Sequence, residues 1–111
     1  MAQKKFALPS DALRPLVPHS GGCLATDRIM VDGCKVGYMY RERTVRPTDT
    51  GWRFFSGDES PDYINNLDNS GVYAVNTVAN YDPDIIPYLD TPAPSAFERI
   101  AGTNTYRRTE E

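Results

Sequence analysis

The sequence predicts an α+β fold: a single domain with a mostly antiparallel sheet and short helices packed on one side of it. Two regions, 24–43 and 96–107, have the character of β-hairpins. Between them stand two helix-start patterns, Ser60-Pro61-Asp62 and Asp82-Pro83-Asp84, in each of which a capping residue precedes a proline and an acid. No repeat or low-complexity linker divides the 111 residues, so one domain is expected.

The composition is that of a globular protein and argues against several functions. Hydrophobic residues make up 40% of the chain and charged residues 24%, with a net charge of −3. That charge disfavours nucleic-acid binding, which usually needs a clustered basic face. The chain has neither a long apolar run nor a secretory signal, and a cytoplasmic location is therefore expected. We expect a basic tail over 1–9, the domain over 10–108 and a C-terminal tail over 109–111, with Ser10 capping a brief first helix.

The segment 51–59 is expected to be the central strand. Trp52 and Phe54 alternate with Arg53 and Phe55, which puts aromatic bulk on both faces of an extended chain. Such a strand is most natural in the middle of a sheet. It ends at Ser56-Gly57 and is followed by two adjacent carboxylates, Asp58 and Glu59.

Asp32-Gly33 predicts a hairpin turn between strands at 24–31 and 35–43. In that register the core face holds seven side chains: Ala25, Ile29, Val31, Cys34, Val36, Tyr38 and Tyr40. Met39 falls on the other face, and Asp27 lies opposite Tyr38, where it needs a hydrogen-bond partner. Cys23 and Cys34 are then roughly 26 Å apart, which predicts two free thiols.

The second half of the chain is predicted to form short helices and strands. The pattern predicts a helical turn after Ser60, a strand over 72–75 with Tyr73 and Val75 on one face, a helical turn over 76–81 and a helix after Asp82. Segments 96–100 and 103–107, around Gly102, predict a final hairpin or one bent strand.

Templates for catalysis and for metal or cofactor binding do not fit. The single histidine, His19, and the spacing of the two cysteines give no zinc pattern, and nothing orients His19 toward Cys23. The glycines form no phosphate-binding loop. Asp82-x-Asp84 fits helix capping better than calcium binding. We therefore expect no enzyme activity, no metal and no cofactor.

Two features leave structural and functional interpretations open. Asp58 and Glu59 could bind a metal or a cationic partner, or they could be solvated or accept hydrogen bonds from backbone amides. Tyrosines near loop and helix ends suit partner recognition and suit covering a small sheet equally well: Tyr63, Tyr73, Tyr81 and Tyr88.

Five colinear motifs together resemble a known family. They are Ala25-Thr26-Asp27-Arg28-Ile29, Val36-Gly37-Tyr38-Met39-Tyr40-Arg41-Glu42, Gly51-Trp52-Arg53-Phe54-Phe55-Ser56-Gly57-Asp58-Glu59, Asn76-Thr77-Val78-Ala79-Asn80-Tyr81-Asp82-Pro83-Asp84-Ile85-Ile86-Pro87 and Ser95-Ala96-Phe97-Glu98-Arg99. In this order they closely resemble the immunity-protein-33-like family, formerly catalogued as a bacterial domain of unknown function. The resemblance covers roughly residues 6 to 100. Ser56 and Tyr88 stand where a small residue and often leucine are expected.

The resemblance implies a bacterial immunity protein of a polymorphic-toxin system, which binds and neutralises a cognate toxin by stoichiometric protein–protein inhibition. An acidic, tyrosine-rich face would occlude the toxin, with acids speeding encounter and aromatic side chains supplying affinity. The candidate partner-binding residues are Trp52, Asp58, Glu59, Tyr63, Tyr81 and Asp82.

Two other classes of function stay open. One is a regulatory domain that binds a small ligand or a peptide in a polar pocket formed by Asp27, Tyr38 and Arg53, with Asp58 nearby. The other is an enzyme. A metal ion that stays bound stoichiometrically after purification would favour that class. The sequence leaves the toxin unidentified, and it leaves the oligomeric state, monomer or homodimer, open.

Overall fold

The computed structural model describes residues 4–18 and 21–109, which form a six-stranded sheet with short helices between the strands. His19, which was considered above as a metal ligand and as a partner of Cys23, lies outside the described residues, and so does Ser20. The strands are β1 Gly22–Thr26, β2 Tyr38–Arg41, β3 Asp49–Phe55, β4 Ser70–Ala74, β5 Ser95–Arg99 and β6 Tyr106–Arg108. The α-helices are α1 Asp27–Met30, α2 Pro61–Asn65 and α3 Val75–Tyr81, and 3-10 helices span Ser10–Ala12, Leu67–Asn69 and Pro83–Tyr88.

The strand order is β4-β1-β3-β2-β5-β6. Every neighbouring pair is antiparallel except β1 and β3, which run parallel. The α+β prediction is confirmed, and β3 lies in the interior of the sheet with Trp52 and Phe54 buried, as the sequence predicts. The predicted final hairpin is also confirmed, because β5 and β6 pair directly.

The hydrophobic core lies between one face of the sheet and three helices. From the sheet come Cys23, Ala25, Met39, Trp52, Phe54 and Phe97, and all are buried. Against them pack apolar side chains of α1, α3 and the 3-10 helix Pro83–Tyr88: Ile29, Met30, Val75, Val78, Ala79 and Ile85. Burying this apolar surface is the main stabilising contribution to the fold.

Both predicted helix-start patterns are confirmed. The Ser60 side chain accepts a hydrogen bond from the Tyr63 amide, with Pro61 at the first position of α2. The Asp82 side chain accepts from the Asp84 amide at the start of the 3-10 helix Pro83–Tyr88. The expected first helix is shorter than predicted: the 3-10 helix Ser10–Ala12 is preceded by Pro9, and the Ser10 side chain does not cap it.

The predicted hairpin at Asp32-Gly33 is wrong. Residues 27–30 form α1, and Gly33, at φ +79°, follows the end of that helix with its amide donating to the Ile29 carbonyl at 3.2 Å. The left-handed glycine therefore terminates a helix, which is the other common use of that conformation. β1 and β2 are not paired with each other, because β3 lies between them.

The loss of the hairpin inverts the predicted faces of β2. Met39 is fully buried in the core, whereas Tyr38 and Tyr40 are half-buried on the opposite face. Asp27 begins α1 and pairs with Lys4 at 2.9 Å, so it does not face Tyr38 across a hairpin. Both cysteines are free, as expected, although the register that led to this expectation is not the observed one.

The segment 4–18 lies against the domain. The Ala7 amide donates to the Met30 carbonyl at 2.8 Å, and Val17 packs against the core. Among the residues described, no helix is long and apolar enough to cross a membrane.

Candidate partner-binding face

The helices of the core leave the second face of the sheet largely uncovered. Cross-strand register pairs Val72 with Leu24, Arg53 with Tyr40, and Phe55 with Tyr38. Directly paired residues project to the same side of a sheet, and this side is opposite to Met39, Trp52 and Phe54. We call the set Leu24, Tyr38, Tyr40, Arg53, Phe55 and Val72 the open face.

Three aromatic rings occupy the centre of the open face. Tyr40 and Phe55 are stacked, with ring centroids 5.8 Å apart and planes 14° from parallel. Tyr38 lies 6.0 Å from each of them. All three are half-buried, and none belongs to the buried core cluster. Rigid, half-exposed aromatic side chains are the residues that most often carry binding energy at interfaces.

Exposed aliphatic side chains extend the aromatic centre towards β4 and α2. Val72 is 75% exposed and Leu67 is 85% exposed, and Leu24 and Ile64 are exposed as well. A cavity of about 200 Å³ lies between the sheet and α2, and Leu24, Tyr40, Ile64 and Leu67 are among the residues that line it. A contiguous exposed apolar area of this kind marks an interaction site more often than isolated exposed residues do.

Arg53 is the charged residue of this six-residue set, and its charge is compensated. On the same side of the sheet, Glu98 lies directly opposite Tyr38 and forms an ion pair with Arg107. The Arg53 guanidinium contacts both oxygens of Asp49 at 3.0 Å and Glu42 at 2.9 Å. These hydrogen bonds hold the pKa of the Asp49 carboxyl below its usual range, since the bond from Arg53 favours the charged form. The buried arginine therefore orders the end of the β2–β3 connection.

The predicted carboxylates lie in the loop after β3, at the border of the open face. Glu59 accepts hydrogen bonds from the Thr26 hydroxyl and from the Ser56 and Gly57 amides. Burial opposes ionisation of Glu59, but these hydrogen bonds prevail and hold its pKa below the ordinary value. Glu59 thus orders the loop, whereas Asp58 is exposed and accepts a hydrogen bond from the Ser56 hydroxyl.

Arg28 and Tyr63 complete this border. The Arg28 guanidinium lies 5.5 Å from the centre of the Tyr63 ring, 3.5 Å from Asp58 and 3.6 Å from Asp32. Burial, followed by the Asp27 charge, raises the pKa of the Tyr63 hydroxyl above its ordinary value. The structure therefore brings three of the predicted partner-binding residues, Asp58, Glu59 and Tyr63, to one edge of the open face.

The other three predicted partner-binding residues serve the fold. Trp52 is 1% exposed, stacks on Phe54 and donates its indole N–H to the Leu89 carbonyl. Asp82 is also 1% exposed and pairs with Arg99. The Tyr81 hydroxyl hydrogen-bonds the main chain of Leu8. Trp52 and Asp82 are therefore out of reach of a partner that meets the surface of this structure.

The residues proposed for a polar pocket are not brought together. Tyr38 and Arg53 share the open face, but Asp27 lies at the start of α1 beside Lys4. The cavity beside Arg53 is lined by neither Asp27 nor Tyr38.

Sequence reasoning missed the main members of the open face. The alternation in Tyr38-Met39-Tyr40 shows that Met39 lies on the face opposite to the two tyrosines. It does not show which of the two faces is buried. The side is set by the strands that pair with β2, which are β3 and β5, and no local sequence signal specifies that pairing.

Among residues 4–18 and 21–109, no group of three or more metal-ligating side chains is close enough to hold a metal ion. Burial raises the pKa of the Cys23 thiol to about 12, which leaves it protonated and poorly nucleophilic.

Comparison with known proteins gives one match. A family model described as the immunity protein Imm33 domain matches residues 23–110, which include every member of the open face. No curated protein and no solved structure matches the chain.

Proposed function

The chain belongs to the Imm33 immunity-protein family, and from this premise we propose that it neutralises a cognate bacterial toxin by stoichiometric protein–protein contact through the open face. Membership of an immunity-protein family implies a toxin partner. The proposal adds the mode of action, which is binding rather than catalysis, and the surface that binds.

The single observation that carries the proposal is the aromatic and aliphatic open face. A sheet with one face in the core usually carries polar residues on the other. Here that second face presents Tyr38, Tyr40 and Phe55 in mutual contact, next to Leu24 and Val72. Contact with a partner protein would remove this apolar area from water and supply the affinity.

The acidic border gives the proposal its electrostatic part. Asp58 is exposed beside the open face, and the chain as a whole has a net charge of −3. A basic toxin surface would be attracted over a distance set by the ionic strength, which raises the association rate more than the final affinity. An Asp58→Lys substitution should slow association and weaken its salt dependence, with a smaller effect on dissociation.

The first experiment is purification of the tagged chain from its native host under mild conditions. The proposal predicts a one-to-one complex with a protein whose isolated domain arrests bacterial growth, and co-expression of the chain should restore growth. Recovery of the chain alone, together with failure to protect against any toxin encoded by the same host, would contradict the proposal.

A second candidate function, binding of a small ligand, is favoured by one observation. A cleft of about 950 Å³ is lined by the β2–β3 connection together with Arg41, Trp52, Leu89 and Pro92. Native mass spectrometry of the same preparation separates the two candidates, because a retained small molecule adds a few hundred daltons and a toxin adds an entire chain.

A further inference from the structure

The sheet ends in two edge strands, β6 and β4, and the first of them is protected against pairing with another chain. Tyr106 and Arg108 point their backbone groups away from β5, since Glu98 and Arg107 form the hydrogen-bonded pair between them. The outward amide of Tyr106 donates to the Tyr88 hydroxyl at 3.0 Å, and Arg107 and Arg108 are exposed. Charged side chains on an edge strand disfavour the approach of a second strand, so this edge is closed.

The opposite edge, formed by β4, carries no such charges. The Val75 amide donates to the Gly21 carbonyl at 3.0 Å, which fixes which residues of the β1–β4 ladder exchange hydrogen bonds. Every second residue from Val75 backwards faces β1, so the residues between them point their amides and carbonyls outward. These are Ser70, Val72 and Ala74, which we call the β4 edge. All three are uncharged, and Val72 and Ala74 are exposed.

The outward backbone groups of the β4 edge lack partners at its centre. The Ala74 carbonyl is the first acceptor of helix α3, which leaves the Ala74 amide facing outward. Within the described part of the chain, nothing hydrogen-bonds that amide or the amide and carbonyl of Val72. The Ser70 carbonyl has one long contact of 3.4 Å, from a Lys4 ammonium that is paired with Asp27, and it keeps a second lone pair. The edge therefore presents an acceptor at Ser70, a donor and an acceptor at Val72, and a donor at Ala74.

This series of groups is complementary to itself when the strand is reversed. If two β4 strands pair antiparallel about a two-fold axis at Val72, the two Val72 residues exchange both of their hydrogen bonds. The Ala74 amide of each copy then faces the Ser70 carbonyl of the other, so every group of the series has a partner. An axis one residue away, at Gly71 or at Tyr73, leaves part of the series unpaired. A second copy of the chain therefore supplies the groups that the edge lacks, in the order in which it needs them.

The side chains around the β4 edge also suit a second copy. Val72 and Leu67 are exposed on the side of the open face, and Phe6 is exposed beside Tyr73 on the other side, with the two rings in edge-to-face contact. Pairing two edges would bring the two Val72 side chains into contact and remove them from water. Two chains that each carry a net charge of −3 repel each other least where the meeting surfaces are uncharged.

From this geometry we propose that the chain forms a two-fold symmetric homodimer through antiparallel pairing of its β4 edges. The pairing joins two six-stranded sheets into one continuous sheet and places the two open faces side by side. A pair of five-residue strands is a small interface beside the roughly 1,200 Å² at which standard interfaces begin, so we expect a dissociation constant in the micromolar range. The dimer involves this chain alone and does not depend on toxin neutralisation.

Sedimentation equilibrium of the purified full-length chain tests whether the dimer forms. As the concentration rises from about 1 µM to about 1 mM, the average mass should increase from 12.4 kDa towards twice that value. A mass that stays at 12.4 kDa at the highest concentration would overturn the proposal.

Charge substitutions at Val72 test the place of the two-fold axis. Because Val72 is exposed, these changes do not disturb the core. Val72→Lys and Val72→Glu each put like charges opposite each other, and each variant alone should dimerise at least about fivefold more weakly than wild type. An equimolar mixture of the two variants puts opposite charges there and should recover at least about fivefold over either variant alone. Val45→Lys, a change at an exposed valine outside the β4 edge, should dimerise like the wild type.

The mixture separates the proposed pairing from a general loss of structure, because a variant that has merely lost its fold does not recover when a second variant is added. Unchanged dimerisation of either single variant, or no recovery in the mixture, would overturn the proposal.

Hydrogen exchange on the wild-type chain gives a check without any substitution. The outward amides of Val72 and Ala74 should exchange at least about tenfold more slowly at about 1 mM than at about 1 µM. The Tyr73 amide faces β1 and should be protected at both concentrations. A rise in mass with unchanged exchange at Val72 and Ala74 would place the dimer contact on another surface, and the proposal would be wrong.

Discussion

Replacing Asp82 by alanine removes the centre of a buried charged network. One carboxylate oxygen of Asp82 accepts from the Val36 amide at 2.8 Å and from Arg99 at 2.6 Å, and the other accepts from the Asp84 amide at 3.1 Å. Arg99 also contacts Asp84 at 3.0 Å and the Tyr106 hydroxyl at 2.7 Å. The network therefore connects the loop before β2, the 3-10 helix Pro83–Tyr88 and strands β5 and β6.

The expected loss of stability follows from these contacts. Leaving the buried Val36 amide without an acceptor costs about 1–3 kcal/mol, and losing the charged hydrogen bond to Arg99 costs about 1.5–3 kcal/mol. Arg99 keeps Asp84 as a partner, so the total should lie near about 3 kcal/mol, the low end for breaking a buried ion pair. That is a large part of the roughly 5–15 kcal/mol by which small domains are stable.

Urea denaturation of Asp82→Ala against wild type measures this change in the free energy of unfolding. Asp82→Asn keeps an acceptor for the Val36 amide and should lose about half as much. Asp68→Ala is the matched control, since Asp68 is exposed, and it should change stability by less than about 0.5 kcal/mol. A loss below about 1 kcal/mol for Asp82→Ala would refute the assignment of this network as a main stabilising element.

Three further predictions concern pH, thiol reactivity and backbone conformation. The folded-state pKa of Glu59 is below its ordinary value of 4.5. The stability that ionised Glu59 contributes is therefore complete above pH 4.5 and is lost as the pH falls through the lowered pKa. The difference in stability between wild type and Glu59→Gln should vanish in acid. With a thiol reagent, the native chain should react rapidly at half-buried Cys34 and slowly at buried Cys23, and both should react in urea without a reductant. Gly51→Ala should destabilise the domain by at least about 2 kcal/mol in urea denaturation, because φ is +89° and a Cβ would lie 2.0 Å from the Glu42 carbonyl oxygen. Gly102 has a similar φ of +77° but open space around it, so Gly102→Ala should cost about 1 kcal/mol.

The parts of the fold that the sequence predicts correctly are those set by local chemistry. Ser60-Pro61 and Asp82-Pro83 begin helices because a capping oxygen and a fixed proline φ act within one turn of the chain. The aromatic run around Trp52 forms an interior strand because its bulk needs neighbours on both sides.

The parts that fail depend on distant contacts. Gly33 adopts the left-handed conformation that a hairpin turn and a helix end share, and only the packing of Ile29 and Met30 into the core selects the helix. Placement of β3 between β1 and β2 likewise depends on pairing that no local pattern specifies.

The candidate site shows the same division. Asp58, Glu59 and Tyr63 lie close together because they follow β3 directly in the chain, and their role in partner binding stays a prediction. The aromatic centre of the open face needs the register of two strands, Tyr38 with Phe55 and Tyr40 with Arg53, so it emerges only from the folded sheet.

The open face is the surface proposed to meet the toxin. Two exposed valines offer a matched test: Val72, 75% exposed on the open face, and Val45, 98% exposed in the β2–β3 connection outside it. Each is replaced by glutamate, and the affinity for the co-purified toxin is measured by isothermal titration calorimetry. We expect Val72→Glu to weaken binding at least about tenfold, since a buried unpaired charge costs more than about 1.4 kcal/mol, and Val45→Glu to change it less than about twofold. Unchanged affinity in Val72→Glu, or a larger loss in Val45→Glu, would contradict toxin binding through the open face.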